Sequence, residues 1–89
     1  MKTILITVKG KVQGVFYRQT TKEIATGLGI TGEVKNLSNG DVRIIATGTE
    51  EQLQGLTTWC RKGPERAVVS QVLTEEVPTQ SFDKFKVVR

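Results

Sequence analysis

The hydrophobic residues of this chain change period in a fixed order, and that order leaves few folds open. Ile4, Ile6 and Val8 alternate with Thr3, Leu5 and Thr7, the two-residue period of a strand with one strongly apolar face. From Arg18 to Leu28 the spacing becomes helical: Ile24, Ala25 and Leu28 follow Tyr17 and Thr21, and Gly27 and Gly29 weaken and stop the helix. Ile30 to Asn36 returns to a short strand. Ser38-Asn39-Gly40-Asp41 is a tight-turn signal, with Asn39-Gly40 suited to positive φ. Beyond it Val42, Ile44 and Ala46 alternate with Arg43, Ile45 and Thr47, which predicts a β-hairpin. Thr49-Glu50-Glu51-Gln52 has the form of a capping box, with Thr49 as N-cap and Gln52 reaching back. It opens a helix to about Arg61 whose apolar face is Leu53, Leu56, Trp59 and Cys60. Gly63-Pro64 ends that helix. Ala67 to Val77 reads as a long strand closed by Pro78, and Phe82 to Val88 as a last strand with Phe85 and Val87 facing one way.

The order β-α-β-β-α-β-β is that of two β-α-β units joined by a hairpin, the ferredoxin-like split β-α-β sandwich. The expected class is α+β: a mostly antiparallel sheet of four to five strands, with two helices on one face and solvent on the other. The 89 residues make one expected domain, 1–89. By size scaling such a chain buries roughly 60–65% of its surface and holds no second core.

The net charge is +4, from thirteen Lys and Arg against nine Asp and Glu. The basic residues are scattered, so the bias fits a small anionic metabolite at least as well as nucleic acid. RNA-recognition modules share the topology, but they stack bases on aromatics of the open sheet face. This chain has five aromatic residues in all and none of the expected glycine-aromatic run, so no nucleic-acid partner is expected. The apolar start, Ile4 to Val8, is too short to span a membrane, and Lys9 and Lys11 follow at once. No signal-peptide cleavage site follows it either. The one cysteine, Cys60, allows no intrachain disulfide, which fits a reducing compartment. A cytoplasmic monomer is the expectation. Histidine is absent. The commonest general base is therefore missing, and with a single cysteine a structural zinc site is excluded in practice. No metal or cofactor is expected, and chemistry must rest on Arg, Asn, backbone amides and water, or on carboxylates.

Gly10-Lys11-Val12-Gln13-Gly14-Val15-Phe16-Tyr17-Arg18 links the first strand to the first helix. Backbone N–H groups in such a loop point at an anion, and an arginine at its mouth adds a rigid fork of donors suited to phosphate oxygens. Gly32-Glu33-Val34-Lys35-Asn36 then places an amide at the end of another strand. Taken alone, the loop is also an ordinary β–α connection, Arg18 a surface arginine and Asn36 a strand-end residue. A cation at a helix start opposes the helix dipole, which favours an anionic partner for Arg18. Trp59 and Cys60 read as core, the cysteine as a small hydrophobe rather than a nucleophile. Lys9, Lys11 and Lys35 read as solvated, able to steer an anion toward the loop. Glu50-Glu51 and Glu75-Glu76 are adjacent pairs that share no face.

Gly10-x-Val12-Gln13-Gly14-Val15-x-Tyr17-Arg18 closely resembles the first signature of the acylphosphatase family. Gly32-x-Val34-Lys35-Asn36-x-x-x-Gly40-x-Val42, running on to Gly48, resembles the second. Gly63-Pro64 and the strand from Ala67 match the family's layout, so the resemblance covers nearly the whole chain. It implies hydrolysis of small acyl phosphates (acetyl, carbamoyl or glyceroyl type) to carboxylate and inorganic phosphate, without a metal, by in-line attack of water. Carried onto these positions, Arg18 binds the phosphate and Asn36 positions the water. The backbone amides of Gln13, Gly14, Val15, Phe16, Tyr17 and Arg18 hold the other oxygens. The chain departs from the family at Glu33, where an aromatic is usual; strand alternation points Glu33 away from the Asn36 face. Tyr17 stands where phenylalanine is commoner, with its hydroxyl expected at the rim. The same fold and loop also serve as a non-catalytic module for an anion or carbamoyl phosphate. Such domains occur in larger hydrogenase maturation factors. The absence of an extra domain, and Arg18 with Asn36, favour the free enzyme. A partner for the strand 67–77 is left open.

Overall fold

A computed structural model describing residues 1–89 follows the expected order. The elements are β1 (Lys2–Lys11), α1 (Tyr17–Leu28), β2 (Thr31–Asn36), β3 (Val42–Gly48), α2 (Glu50–Lys62), β4 (Val68–Val77) and β5 (Phe85–Val88). The five strands form one sheet in the order β4-β1-β3-β2-β5. β1 lies antiparallel to both β3 and β4, β2 lies antiparallel to β3, and β5 adds parallel to β2. β1, β2 and β5 therefore run the same way, and their C-terminal ends gather at one end of the sheet. The fold is the expected α+β, ferredoxin-like sandwich.

The strand register builds the core in rows. Ile6 faces Ile44, which faces Val34; one row on, Val8 faces Val42, which faces Asn36. All of these aliphatic side chains are fully buried. Tyr17, Thr21 and Ala25 of α1 and Leu53, Leu56 and Cys60 of α2 close over them, at the three- and four-residue spacings the sequence shows. Fully burying each large aliphatic side chain contributes about 1.5–3 kcal/mol. Asn36 is the polar member at the end of the second row, on the helix-bearing face. Glu33 lies on the opposite face, as alternation requires.

The capping box of α2 forms as read. Gln52 N donates to Thr49 Oγ1 at 3.2 Å and Thr49 N donates to Gln52 Oε1 at 2.8 Å. Glu50 and Glu51 in the first turn and Arg61 and Lys62 in the last suit the helix dipole. Gly29 stops α1 in a left-handed conformation. No helix is long and apolar enough to cross a membrane.

Four local expectations are corrected. β1 does not give way to loop at Gly10: Gly10 and Lys11 pair with Val69 and Val68 across a register shift after Lys9. The loop expected over Gly10–Arg18 thus shortens to Val12–Phe16. In the hairpin only Gly40 takes positive φ (96°). Leu37 N donates to Asp41 O (2.8 Å) and Gly40 N to Leu37 O (3.2 Å), while Asn39 Oδ1 accepts from Asp41 N at 3.0 Å. Asn39 acts there through its side chain. β5 starts at Phe85 rather than Phe82. The segment before it crosses the end of the sheet, where Gln80 N donates to Thr3 Oγ1 (2.9 Å) and Thr47 Oγ1 donates to Gln80 O (2.8 Å). That end of the otherwise open face is therefore covered, and Thr3 and Thr47 are buried. Trp59, read as core, is only half-buried; it packs on Tyr17 with ring centroids 5.3 Å apart.

Candidate functional site

The loop between β1 and α1 is held from below by two valines. Val12 and Val15 are both buried in the main core. Between them Gly14 takes φ 74°, and after them Phe16 takes φ 63°, the one non-glycine residue with positive φ. A phenylalanine in this region carries strain of about 1–3 kcal/mol, which persists only where surrounding structure enforces it. The Phe16 side chain is 75% exposed. Phe16 is the N-cap of α1 and supplies no side-chain cap.

The backbone N–H groups of Gln13, Gly14, Val15 and Phe16 find no acceptor in the fold, and neither do those of Tyr17, Arg18 and Gln19 in the first helical turn. The first N–H of this stretch to be satisfied is that of Thr20, which donates to Phe16 O at 3.1 Å. Helix N-termini always leave such donors. Here the row extends back through the loop, and curled N–H groups of this kind suit an anion.

A cleft of about 280 Å³ opens at this point, lined by Val12, Gly14, Phe16, Tyr17, Arg18, Gln19, Asn36, Val87 and Arg89. Its lining holds two guanidinium groups and no Asp or Glu side chain. Arg18 projects from the first turn of α1, and its Nη1 reaches Val88 O at 3.4 Å, a long contact that leaves donors of the fork for a ligand. Asn36 enters from the end of β2. Its Oδ1 is buried and is the only buried side-chain polar atom without a hydrogen-bond partner. An unpaired buried carbonyl costs about 1–3 kcal/mol. A half-turn of the amide exchanges its oxygen and nitrogen at little steric cost.

The fold thus brings Gly14, Phe16, Tyr17 and Arg18 together with Asn36 around one cleft, and it leaves the Gln13 and Val15 side chains off it. Val15 faces the core, so only its backbone is available. Gln13 points to the β2–β3 connection: its Nε2 donates to Leu37 O and to Asp41 O, both at 2.8 Å. Tyr17 corrects the expectation of a hydroxyl at the rim. It is 2% exposed and its hydroxyl donates to Cys60 O at 2.8 Å, which anchors the start of α1 on α2. Burial, with the Cys60 thiol beside it, pushes the phenol far above its ordinary range. Burial likewise pushes the Cys60 thiol up to about 12, so neither group ionises near neutral pH. Lys9 is also corrected: its Nζ pairs with Asp41 Oδ2 at 2.7 Å rather than standing free in solvent. Val12, Gln19, Val87 and Arg89 line the cleft in addition to the residues expected there. Gln19 follows Arg18 directly, and its place in the first helical turn is a signal the sequence carries. Val87 and Arg89 arrive only because β5 pairs beside β2, which no local pattern reveals.

The acylphosphatase family model matches residues 4–87. An acylphosphatase of Marinobacter nauticus is 51% identical over 82 residues, covering 91% of this chain and 89% of that relative. The solved structure of an acylphosphatase from Coxiella burnetii superimposes with a TM-score of 0.95 at 44% identity, covering 98% of this chain and 92% of the other. That of an acylphosphatase from Bacillus subtilis gives 0.97 at 30% identity, with both chains covered in full.

Proposed function

The chain belongs to the acylphosphatase family, enzymes that hydrolyse acyl phosphates, and we propose that Arg18 and Asn36 carry this hydrolysis by metal-independent, in-line attack of water. The observation that carries the reading is one cleft that combines a free row of N–H donors, the Arg18 fork and the unpartnered amide of Asn36.

An acyl phosphate is a mixed anhydride whose leaving group, a carboxylate, departs without a strong general acid. The protein has to position the reactants and stabilise charge on the phosphoryl oxygens. The N–H groups of Gln13 to Arg18 and the Arg18 guanidinium hold those oxygens. The bound anion in turn offsets the unfavourable placement of the Arg18 cation in the first turn of α1. Asn36 turns its Oδ1 to accept a hydrogen bond from the attacking water, which gives that buried oxygen its missing partner and sets the line of attack. Neither Arg18 nor Asn36 loses a proton in this scheme, and the proton shed by the attacking water passes to a phosphoryl oxygen of the product phosphate, so the absence of histidine is no obstacle. A lining with two guanidinium groups and no Asp or Glu side chain suits an anion rather than a divalent cation. The small cleft suits short acyl groups of the acetyl, carbamoyl or glyceroyl type. All of these residues come from one chain, which supports action as a monomer, and the free Cys60 suits a reducing compartment such as the cytoplasm.

The test is hydrolysis of benzoyl phosphate in excess EDTA. Turnover should survive the chelator. Arg18→Ala and Asn36→Ala should each remain folded and lose at least ~10²-fold, the scale for one transition-state donor. A folded Asn36→Ala protein with near-normal turnover would remove asparagine from the mechanism.

A further inference from the structure

The phosphate loop follows β1 and Asn36 ends β2, yet these strands are not neighbours: β3 lies between them. No ladder hydrogen bond therefore fixes the spacing between the loop and Asn36. One side chain crosses that gap with good geometry. Gln13, in the middle of the loop, uses both protons of its Nε2 on the β2–β3 connection, at Leu37 O and Asp41 O. Leu37 directly follows Asn36. Asp41 O also accepts from Leu37 N at 2.8 Å, so Gln13 grips the neck of the turn next to the asparagine. The far side of that neck is braced as well. The Asp41 carboxylate, 11% exposed, accepts from Lys9 Nζ at 2.7 Å and from Asn39 Nδ2 at 3.2 Å.

We propose that the Gln13 side chain is a positioning residue: it sets the distance between the phosphate-binding loop and Asn36 and so the alignment of the attacking water with the bound phosphoryl group. The inference rests on the reading of Asn36 given above. The backbone N–H of Gln13 still serves the phosphate, so loss of the side chain should spare anion binding. It should show in the chemical step, which is sensitive to misplacement on the ångström scale.

Gln13→Met keeps length and volume and removes the donors; Gln13→Glu keeps the shape and removes them too. Both are compared with the parent enzyme and with Asn36→Ala and Gln13→Met/Asn36→Ala, using benzoyl phosphate turnover, inhibition by inorganic phosphate and thermal melts. In folded Gln13→Met kcat should fall about tenfold while the phosphate inhibition constant moves less than about twofold; in Gln13→Glu, whose added negative charge by itself weakens anion binding, kcat should fall at least as far. On the Asn36→Ala background Gln13→Met should cost less than about twofold further, because the group it aligns has gone. A lower melting temperature with unchanged kcat means that Gln13 only staples the fold, and overturns the proposal. Equal losses in both backgrounds mean that it acts apart from Asn36, and overturn it too. Near-normal turnover in Asn36→Ala overturns the asparagine's role and this inference with it. Full loss in Asn36→Ala beside an unaffected Gln13→Met overturns this inference alone.

Discussion

Gly14 and Gly40 separate two reasons for needing glycine. Both take positive φ, 74° and 96°, and a Cβ built on either would meet no protein atom within 4 Å. Alanine would therefore fit at both positions at the cost of the left-handed conformation alone, about 1–2 kcal/mol. Gly14, however, lines the cleft and Gly40 does not. In the phosphate site proposed above, its methyl group would stand where phosphoryl oxygens approach the backbone N–H groups. Gly14→Ala should therefore weaken both phosphate inhibition and the KM for benzoyl phosphate by about tenfold, the equivalent of one lost hydrogen bond. Gly40→Ala should lower stability without changing either constant. Equal effects of the two substitutions on phosphate inhibition would show that the bare backbone at Gly14 serves the turn alone.

The elements repeat this division between local and distant causes. Thr49 and Gln52 satisfy the start of α2 within four residues of chain, so the capping box is legible in the sequence alone. Thr49→Ala should lower stability by about 1 kcal/mol. In a chain of this size that is a fall of roughly 4–8 °C in Tm. Thr49 stands outside the cleft, so kcat at 25 °C should be unchanged; a thermal melt and an initial-rate assay check the two halves. The order of strands and helices is legible for the same reason, since each period is written into a few neighbouring residues. The pairing of Gly10 and Lys11 with Val69 and Val68 is not, because nothing near Gly10 encodes a strand almost sixty residues away. Nor is the shortened β5, whose approach is held by Thr3 and Thr47. At the site, two motifs at the family's spacing supply Arg18, Asn36 and the loop. The reach of Gln13 to the hairpin, the turn of Tyr17 toward Cys60 and the arrival of Val87 and Arg89 all depend on which strands become neighbours. Asn36 shows the limit most clearly: its place at a strand end is plain from the sequence, but only packing leaves its carbonyl buried and without a partner.

At the scale of the whole molecule, Tyr17 joins the helix that carries Arg18 to the second helix, its neighbour on the same face of the sheet. Tyr17 donates to the Cys60 carbonyl and packs on Trp59, so the placement of Arg18 is tied to the burial of two weak acids. Both are held neutral by desolvation, and this couples the fold to alkaline pH. In the unfolded chain the Cys60 thiol ionises near its ordinary value of 9.0; in the folded protein burial raises it to about 12. Between those values the folded state holds a proton that the unfolded state has released, so stability is complete below pH 9 and falls as pH rises toward 12. The Tyr17 phenol acts in the same direction from about its ordinary value of 10.0 upward. Replacing Cys60 by alanine removes the thiol's share. Cys60→Ala carries a packing penalty at pH 8, so the informative quantity is the gap in unfolding free energy between parent and variant. That gap should narrow by about 2 kcal/mol between pH 8 and pH 10.5, since the parent alone loses the thiol contribution. Guanidinium unfolding of both proteins at the two pH values measures it. A gap that stays constant would mean that the thiol ionises alike in both states, and that alkaline pH acts on the fold through Tyr17 and the surface charges alone.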